Sequence, residues 1–531
     1  MENSSDTAAV NPPLPTPERT SRIFRRRWVR YLLALVVGAT ALITAFYTEE
    51  DWRGQRDWNR YQKSIEARGE SLDLKFYIPK PVPDDQNFCA TPFLKALFQT
   101  NYRGLTLTND LWFRSAYRVA TRPADGDRSQ RQFTDLVAWR QVSEALRDGP
   151  LKNGLFFDTT NLSLTAREAA APTVLEGMKP DEAVFAELRA ASTRPYSVCP
   201  EKYDLENPWP ILAGYLAKVK YVCQHLSLEE CSELAAGQTD QALVDVKLSL
   251  SLADSCKSEP FLIPFLVRVA CFQISTQPVW EGLAEHRWDD AQLQELQARF
   301  LSYDFLSDLH HALYGDRAAE VILCNRVRKL GLGLVRDYMI IDSSTPAPPR
   351  KGVFDQVGRL MPSGWYDQEE LNFCRLFEDQ LKGTVDYSSK TISPHLTPVE
   401  ALTPPYPRNG TFLNALLHHR LISSTMYLGP VPGKTAIAQT CANQIVIACA
   451  LERYRLANGQ FPETLDALTP RFIARLPHDV IGGQPYKYRR TDDEQFILYS
   501  IGWDEKDDGG VPGKDMFDME HGDWVWSYPS Q

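Results

Sequence analysis

The chain has 531 residues, 43% hydrophobic and 24% charged, with a formal net charge of -10. That length exceeds one ordinary domain, and the composition is that of packed globular protein. An acidic balance gives no global attraction to nucleic acid, and no zinc-finger, phosphate-loop or RNA-binding signature is present, so nucleic acid is excluded as an expected partner.

Residues 1–27 read as a disordered cytoplasmic tail, rich in Ser, Thr and Pro as far as Thr20 and then in arginine. Residues 28–47 form an apolar run, just long enough to cross about 30 Å of hydrocarbon as one transmembrane helix. Trp28 and Tyr31 sit at one edge, Phe46 and Tyr47 at the other, as interface aromatics do. Arg22, Arg25, Arg26, Arg27 and Arg30 crowd its start, and Glu49, Glu50 and Asp51 follow its end. The positive-inside rule then places the N-terminus in the cytoplasm and the bulk of the chain across the membrane. A cleaved signal peptide would have a shorter apolar core, about 7–15 residues, with a small residue three positions before the cut. A cut after Ala45 would find Ile43 there.

Residues 48–130 read as a membrane-proximal segment. Within it, 51–68 predicts a helix leaving the membrane, 77–88 holds three prolines and predicts extended chain, and 91–99 predicts a short helix. Residues 131–386 carry 3.6-residue periodicity and predict an α-helical domain of antiparallel hairpins. Its helices fall at 140–146, 181–191, 211–236, 240–253, 260–286, 290–314 and 365–381. The pair broken at Gly237 resembles a single tetratricopeptide-type hairpin, without the repeats a solenoid needs. Residues 343–351, and 387–433 as a whole, are rich in Pro, Ser and Thr and read as loop and linker.

Residues 434–531 predict an α+β module. A long helix carries Ile437, Cys441, Ile445, Ala448 and Leu451 at helical spacing and ends at Asn458-Gly459. A short helix at 462–468 follows. Two alternating segments, 486–490 and 496–500, then read as a β-hairpin.

Candidate chemistry is sparse. His310-His311, His418-His419 and His521 lie outside any H-E-x-x-H pattern and read as structural or exposed. Asp316, Arg317 and Glu320 read as ion pairs on a helix surface. Trp280, Trp288 and Trp365 read as core residues or as the lining of a sugar cleft. Of the 10 cysteines, Cys271, Cys324 and Cys449 sit in apolar helical runs and read as buried thiols, and no C-x-x-C pair is present. In the tail, Asp504, Asp507, Asp508, Asp515 and Asp518 crowd among glycines. A calcium ion would offset their repulsion; a solvated acidic loop is the plain alternative.

Several C-terminal motifs resemble, in order, the globular part of the major pseudopilin of type II secretion. They are Ala450-Leu-Glu-Arg-Tyr-Arg-Leu-Ala-Asn-Gly-Gln-Phe-Pro462, Leu476-Pro477, Gln484-Pro-Tyr-Lys-Tyr-Arg489, Leu498-Tyr-Ser-Ile-Gly502, and the acidic stretch from Asp504 to Trp524. The resemblance implies a calcium site drawn from Ser500, Asp504, Asp507, Asp508, Asp515 and Asp518, and a periplasmic body on a bacterial inner membrane. A pseudopilin begins with its membrane helix, whereas here the apolar run lies roughly 400 residues upstream of the module and lacks the Phe-Thr-Leu start. The expectation is a single-pass extracytoplasmic binding or scaffold protein with a calcium-stabilised, pseudopilin-like head. Its partner would be a protein of a secretion- or pilus-like envelope assembly. The alternative is a periplasmic hydrolase with its site in the helical domain.

Overall fold

Leu226, Leu234, Val246, Leu250, Phe265, Phe272 and Val279 come from three successive apolar stretches and are all buried, so these stretches pack on one another as helices. The computed structural model describes residues 18–98, 128–147, 163–199, 203–206, 214–331, 358–381, 383–396, 419, 428–492 and 494–528. Its helices begin with α1 (Glu18–Ala67), α2 (Pro92–Phe98), α3 (Leu136–Arg147), α4 (Leu164–Met178) and α5 (Glu182–Ala191). Then come α6 (Gly214–Ala235), α7 (Thr239–Asp254), α8 (Leu262–Ala284), α9 (Asp290–Leu301), α10 (Phe305–Leu330), α11 (Ser363–Leu381) and α12 (Val431–Asn458). Strands β1 (Val385–Asp386) and β2 (Thr391–Ile392) form a small hairpin. Strands β3 (Lys487–Arg490), β4 (Phe496–Ser500) and β5 (Trp524–Trp526) form an antiparallel sheet in that order.

The apolar run and the charged stretch after it form one continuous helix rather than two. α1 has 50 residues, a length of about 75 Å at 1.5 Å per residue. No proline interrupts it, and Thr48 Oγ1 donates back to the Thr44 carbonyl at 2.8 Å. Its N-terminal part is apolar and turned outward, with Trp28 71%, Leu35 68% and Leu42 75% exposed, and it is long and apolar enough to cross a membrane. α8 is also long and apolar, but most of its apolar window is buried, which makes it a core helix of the body.

The C-terminal part of α1 is joined to the body through α11. Trp58, Tyr61 and Ile65 bury against Leu371 and Cys374. The Gly364 N–H donates to Asp51 Oδ1 at 2.8 Å, and Trp365 Nε1 donates to Glu50 Oε2 at 2.9 Å. Gly54 and Gly364 let the backbones touch here: a Cβ on Gly54 would lie 2.1 Å from the Gly364 carbonyl oxygen.

The α6–α7 hairpin forms where expected, turning at Gly237 with φ +76. α8, α9 and α10 extend the body, and α12 packs against all three. One hydrophobic core therefore runs from Phe272, Trp280 and Phe300 into Ile445, Leu498 and Trp524. Polar links reinforce it: Trp280 Nε1 donates to the Ser527 carbonyl at 3.1 Å, and Gln444 Nε2 to the Trp524 carbonyl at 2.8 Å.

Several expectations change. The single helix foreseen over 290–314 is two, because Asp304 caps a new start by accepting from the Ser307 N–H at 3.0 Å, and α10 then continues to Leu330. α4, with Pro172 inside it, and β5 were not foreseen. The short helix after α12 is only a 3-10 turn at Leu465–Leu468. Segment 77–88 includes a 3-10 turn at Asp84–Gln86. The start of the 387–433 segment belongs to the β1–β2 hairpin, whose Ile392 is fully buried and bridges to Ile481. Asp316, Arg317 and Glu320 are not on a surface; all three are at most 5% exposed, because α10 is covered by α8, α11 and α12. The ten cysteines are free and buried. Trp280 and Trp288 are core residues. Residues 1–17, the stretch 343–351, His418 and most of 397–427 lie outside the described residues.

Candidate functional site

Five separate elements bring charge to one corner of the helical body. Arg194 comes from the chain after α5, Lys247 and Asp254 from α7, Lys257 from the turn before α8, Arg299 from α9, and Asp308 and His311 from α10. They line a cavity of about 690 Å3, flanked by Phe88 and Tyr196 and by the hydroxyl residues Ser197, Ser251 and Ser258. That volume lies within the roughly 300–1,000 Å3 range of small-molecule sites.

The floor is an ion-paired lattice. Arg268 of α8 is 1% exposed. It donates through Nε to Asp254 Oδ1 at 2.9 Å and through Nη1 to Asp308 Oδ2 at 2.5 Å. Its guanidinium lies over the rings of Phe305 and Tyr303, 4.9 and 5.4 Å from their centroids. Arg299 takes the other oxygen of Asp254 at 2.5 Å. Burial opposes the charge of Asp254, but Arg268 and Arg299 outweigh it and hold this carboxyl below its usual range. Burial lowers His311, against a raising contribution from a hydrogen bond with the Ser258 backbone. The wall carries four cations, Arg194, Lys247, Lys257 and Arg299, against the two carboxylates. Lys247 and Lys257 remain about half exposed while reaching Glu295 at 2.8 Å and Asp308 at 3.9 Å. The arrangement suits the capture of an anion.

The residues expected to hold calcium lie around the β4–β5 connection. Ser500 is buried at the end of β4 and donates through Oγ to Asp479 Oδ1 at 2.9 Å. Asp479 was not among the expected residues; burial pushes it up to about 6 even though it accepts from the Ile481 N–H and Ser500. Asp504 accepts from the Lys506 N–H at 3.2 Å. Asp507 accepts from Tyr499 Oη and the Gly509 N–H, each at 3.1 Å, and reaches Lys487 at 3.3 Å. Asp518 accepts from the N–H groups of Lys514, Glu520 and His521 and so closes a turn of its own; Asp515 is exposed on that turn. Asp507 and Asp508 lie close enough for their charges to raise Asp523, whose first cause of elevation is burial and whose Oδ2 accepts from the Gly510 N–H at 2.7 Å. The structure thus brings Asp507 and Asp508 toward Asp523 and sets Asp515 and Asp518 on a separate turn.

Comparison with family models, with curated proteins and with solved structures finds no match for this chain. Sequence reasoning missed the cleft because its charges come from five separated segments. His310 fits its structural reading, packed on Tyr314 and Tyr387 with centroids 4.1 and 4.5 Å away. Its neighbour His311 faces the cavity, and only the one-residue step around the helix distinguishes them.

Proposed function

We propose that this is a membrane-anchored binding protein whose body stands outside the cytoplasm and takes an anionic small molecule in the cleft between α7, α9 and α10. α1 is the anchor, oriented by its flanking arginines with the N-terminus in the cytoplasm. The observation that carries the reading is a surplus of cations on a cavity wall in a chain of net charge -10. A positive cleft on an acidic protein concentrates anions at one place and repels them elsewhere. Arg299 and Arg194 present planar donor forks suited to carboxylate or phosphate, and serine hydroxyls supply further donors. Binding is favoured over hydrolysis because Asp254 and Asp308 are committed to guanidinium groups. Acid–base catalysis instead needs groups poised to exchange protons.

In the same reading the C-terminal segment is a pseudopilin-like module stabilised by calcium and facing a protein of a secretion- or pilus-like envelope assembly. The order of its motifs and the approach of Asp507 and Asp508 to Asp523 support this.

Isothermal titration of the full chain in detergent with inorganic phosphate and with citrate tests the cleft. The expected result is binding that weakens with added salt and falls about tenfold or more, roughly 1.4 kcal/mol, in the Lys247→Glu/Lys257→Glu variant. Absence of binding by both anions, or unchanged affinity in the variant, overturns the reading.

A further inference from the structure

A second polar cluster lies inside the helical body and shares no residue with the cleft. His225, Glu229 and Glu233 are spaced four residues apart on α6, so they form one column on a single face. Asp245 of α7 points at this column. Glu229 is 7%, Glu233 3% and Asp245 0% exposed. One carboxylate oxygen from each lies within 4.8 Å of the other two. Arg189 of α5 is the cation that reaches them. It grips Asp245 with two donors, Nε at 2.5 Å and Nη2 at 3.0 Å, while Gln241 supports the same carboxylate at 3.1 Å. Arg189 touches Glu229 only at 3.4 Å and turns its remaining nitrogen to Glu182.

The electrostatic balance is therefore incomplete. Arg189 neutralises Asp245, and two buried glutamates remain. Oε2 of Glu229 and Oε2 of Glu233 accept no hydrogen bond, although both side chains are more than nine-tenths buried and converge on Asp245. An unsatisfied buried carboxylate oxygen is costly and calls for a partner. Burial, followed by the charge of Asp245, pushes Glu229 up to about 8, and the same causes with Glu229, Glu230 and a hydrogen bond with Asp245 push Glu233 up to about 10. Burial and Asp245 also raise Glu230, the fully buried neighbour. His225, lowered to about 4 by burial, lies above them, with Nε2 3.9 Å from Asp181.

We propose that Glu229, Glu233 and Asp245 form a divalent-cation site in the interior of the helical body, of a size and hardness suited to Mn2+. Carboxylates projecting inward from facing helices are a recurrent way to build such sites. An all-oxygen donor set selects hard cations. Ligands fixed on rigid helices fit poorly with the flexible coordination by 6–8 oxygens that Ca2+ takes, and Mg2+ rarely sits in all-protein cages. Two glutamate charges balance one divalent ion while Arg189 continues to neutralise Asp245. As one Mn2+ enters, any proton carried by a glutamate leaves to solvent and the carboxylate oxygens become ligands.

The test titrates full-length protein in detergent, stripped with EDTA, with MnCl2 at pH 7. The expected result is one Mn2+ per chain. Binding should weaken at least about 100-fold in both Glu229→Gln and Glu233→Gln, and stay unchanged in the C-terminal variant Asp507→Asn/Asp508→Asn. Each glutamine preserves side-chain size, and near-UV circular dichroism reports whether the variant is folded. The stoichiometry on the native chain needs no variant. No stoichiometric uptake, or uptake that survives in a folded Glu233→Gln chain, overturns the proposal.

Discussion

The joint between α1 and α11 gives the most direct test of how the anchor is coupled to the body. In Gly54→Ala, the new methyl would meet the Gly364 carbonyl oxygen at 2.1 Å and its Cα at 2.5 Å. A methyl on Gly364 would in turn meet the Glu50 carbonyl oxygen at 2.1 Å. Both obstacles are backbone, so no side chain can rotate aside and the two helices must separate by about an ångström to restore ordinary contact. The separation stretches the bonds from Gly364 to Asp51 and from Trp365 to Glu50, and opens the packing of Trp58, Tyr61 and Ile65 on Leu371 and Cys374. Overpacking of this kind costs about 1–3 kcal/mol, while replacing a helical glycine by alanine returns up to about 1 kcal/mol. The net loss should lower the melting temperature of the full chain in detergent by about 1–3 °C and speed proteolysis of α1 near residue 54. Gly38→Ala is the control: it lies on the same helix with nothing within 4 Å of its added methyl and should melt no lower than the native chain. A Gly54→Ala chain that melts with or above the native protein would refute the close approach.

Two further outcomes follow from buried carboxyls and from the tail. Asp316 and Glu370 are each pushed up to about 8, chiefly by burial, as is Glu229. Folded-state values above the unfolded ones mean that their contribution is complete below about pH 4 and is lost as pH rises through 8, so in EDTA the chain should melt higher at pH 5.5 than at pH 8.5. Asp316→Asn keeps an acceptor for the Leu262 N–H that Asp316 now binds at 3.0 Å, so it should raise the melting temperature at pH 8.5 and leave pH 5.5 nearly unchanged. A flat or rising profile in the native chain contradicts the assignment. Calcium at about 100 times its dissociation constant should add roughly 2.7 kcal/mol. The resulting thermal shift should be absent with magnesium, absent in Asp507→Asn/Asp508→Asn, and retained in Glu233→Gln; an equal shift with magnesium argues against a selective tail site.

Features written in local sequence were legible, and features assembled across it were not. The apolar run of α1, the Gly237 turn and the β3–β4 hairpin each rest on a contiguous signal; the turn and the hairpin appear close to their expected bounds, while the helix carrying the apolar run extends beyond 28–47 at both ends, starting at Glu18 inside the tail expected to be disordered. α4 escaped because its alanines give no strong apolar stripe and Pro172 argues against a helix interior, although the proline is accommodated there. The break between α9 and α10 was masked by periodicity that continues across Ser302 to Asp304, where the Asp304 cap is the only local sign. β5 is three residues that pair with β4 across the long acidic connection, so nothing near Trp524 announces it. α6 misled in another way. Every residue from Val222 to Ala235 is buried, charged ones included, so an amphipathic reading finds no polar face to assign to solvent.

That burial of charge is distributed in a way that ties the anchor to the body. Arg317 of α10, 1% exposed, reaches Glu70 just beyond α1 at 2.8 Å and Glu378 of α11 at 3.5 Å. Glu378 also accepts from Tyr61 Oη of α1 at 2.8 Å and from Arg68 at 2.6 Å. One buried guanidinium thus holds both the end of α1 and α11 through shared carboxylates, up to about four helical turns along from the glycine contact. A hydrophobic joint alone tolerates sliding, because dispersion is not directional. Charge-assisted bonds at fixed angles do not, and an uncompensated buried ion would cost about 3–5 kcal/mol if the partners moved apart. α10 carries Arg317 toward the anchor and Asp308 and His311 toward the cleft two to three turns earlier. The same rigid helix therefore joins α1 to the cavity wall and fixes the cleft relative to the long apolar helix.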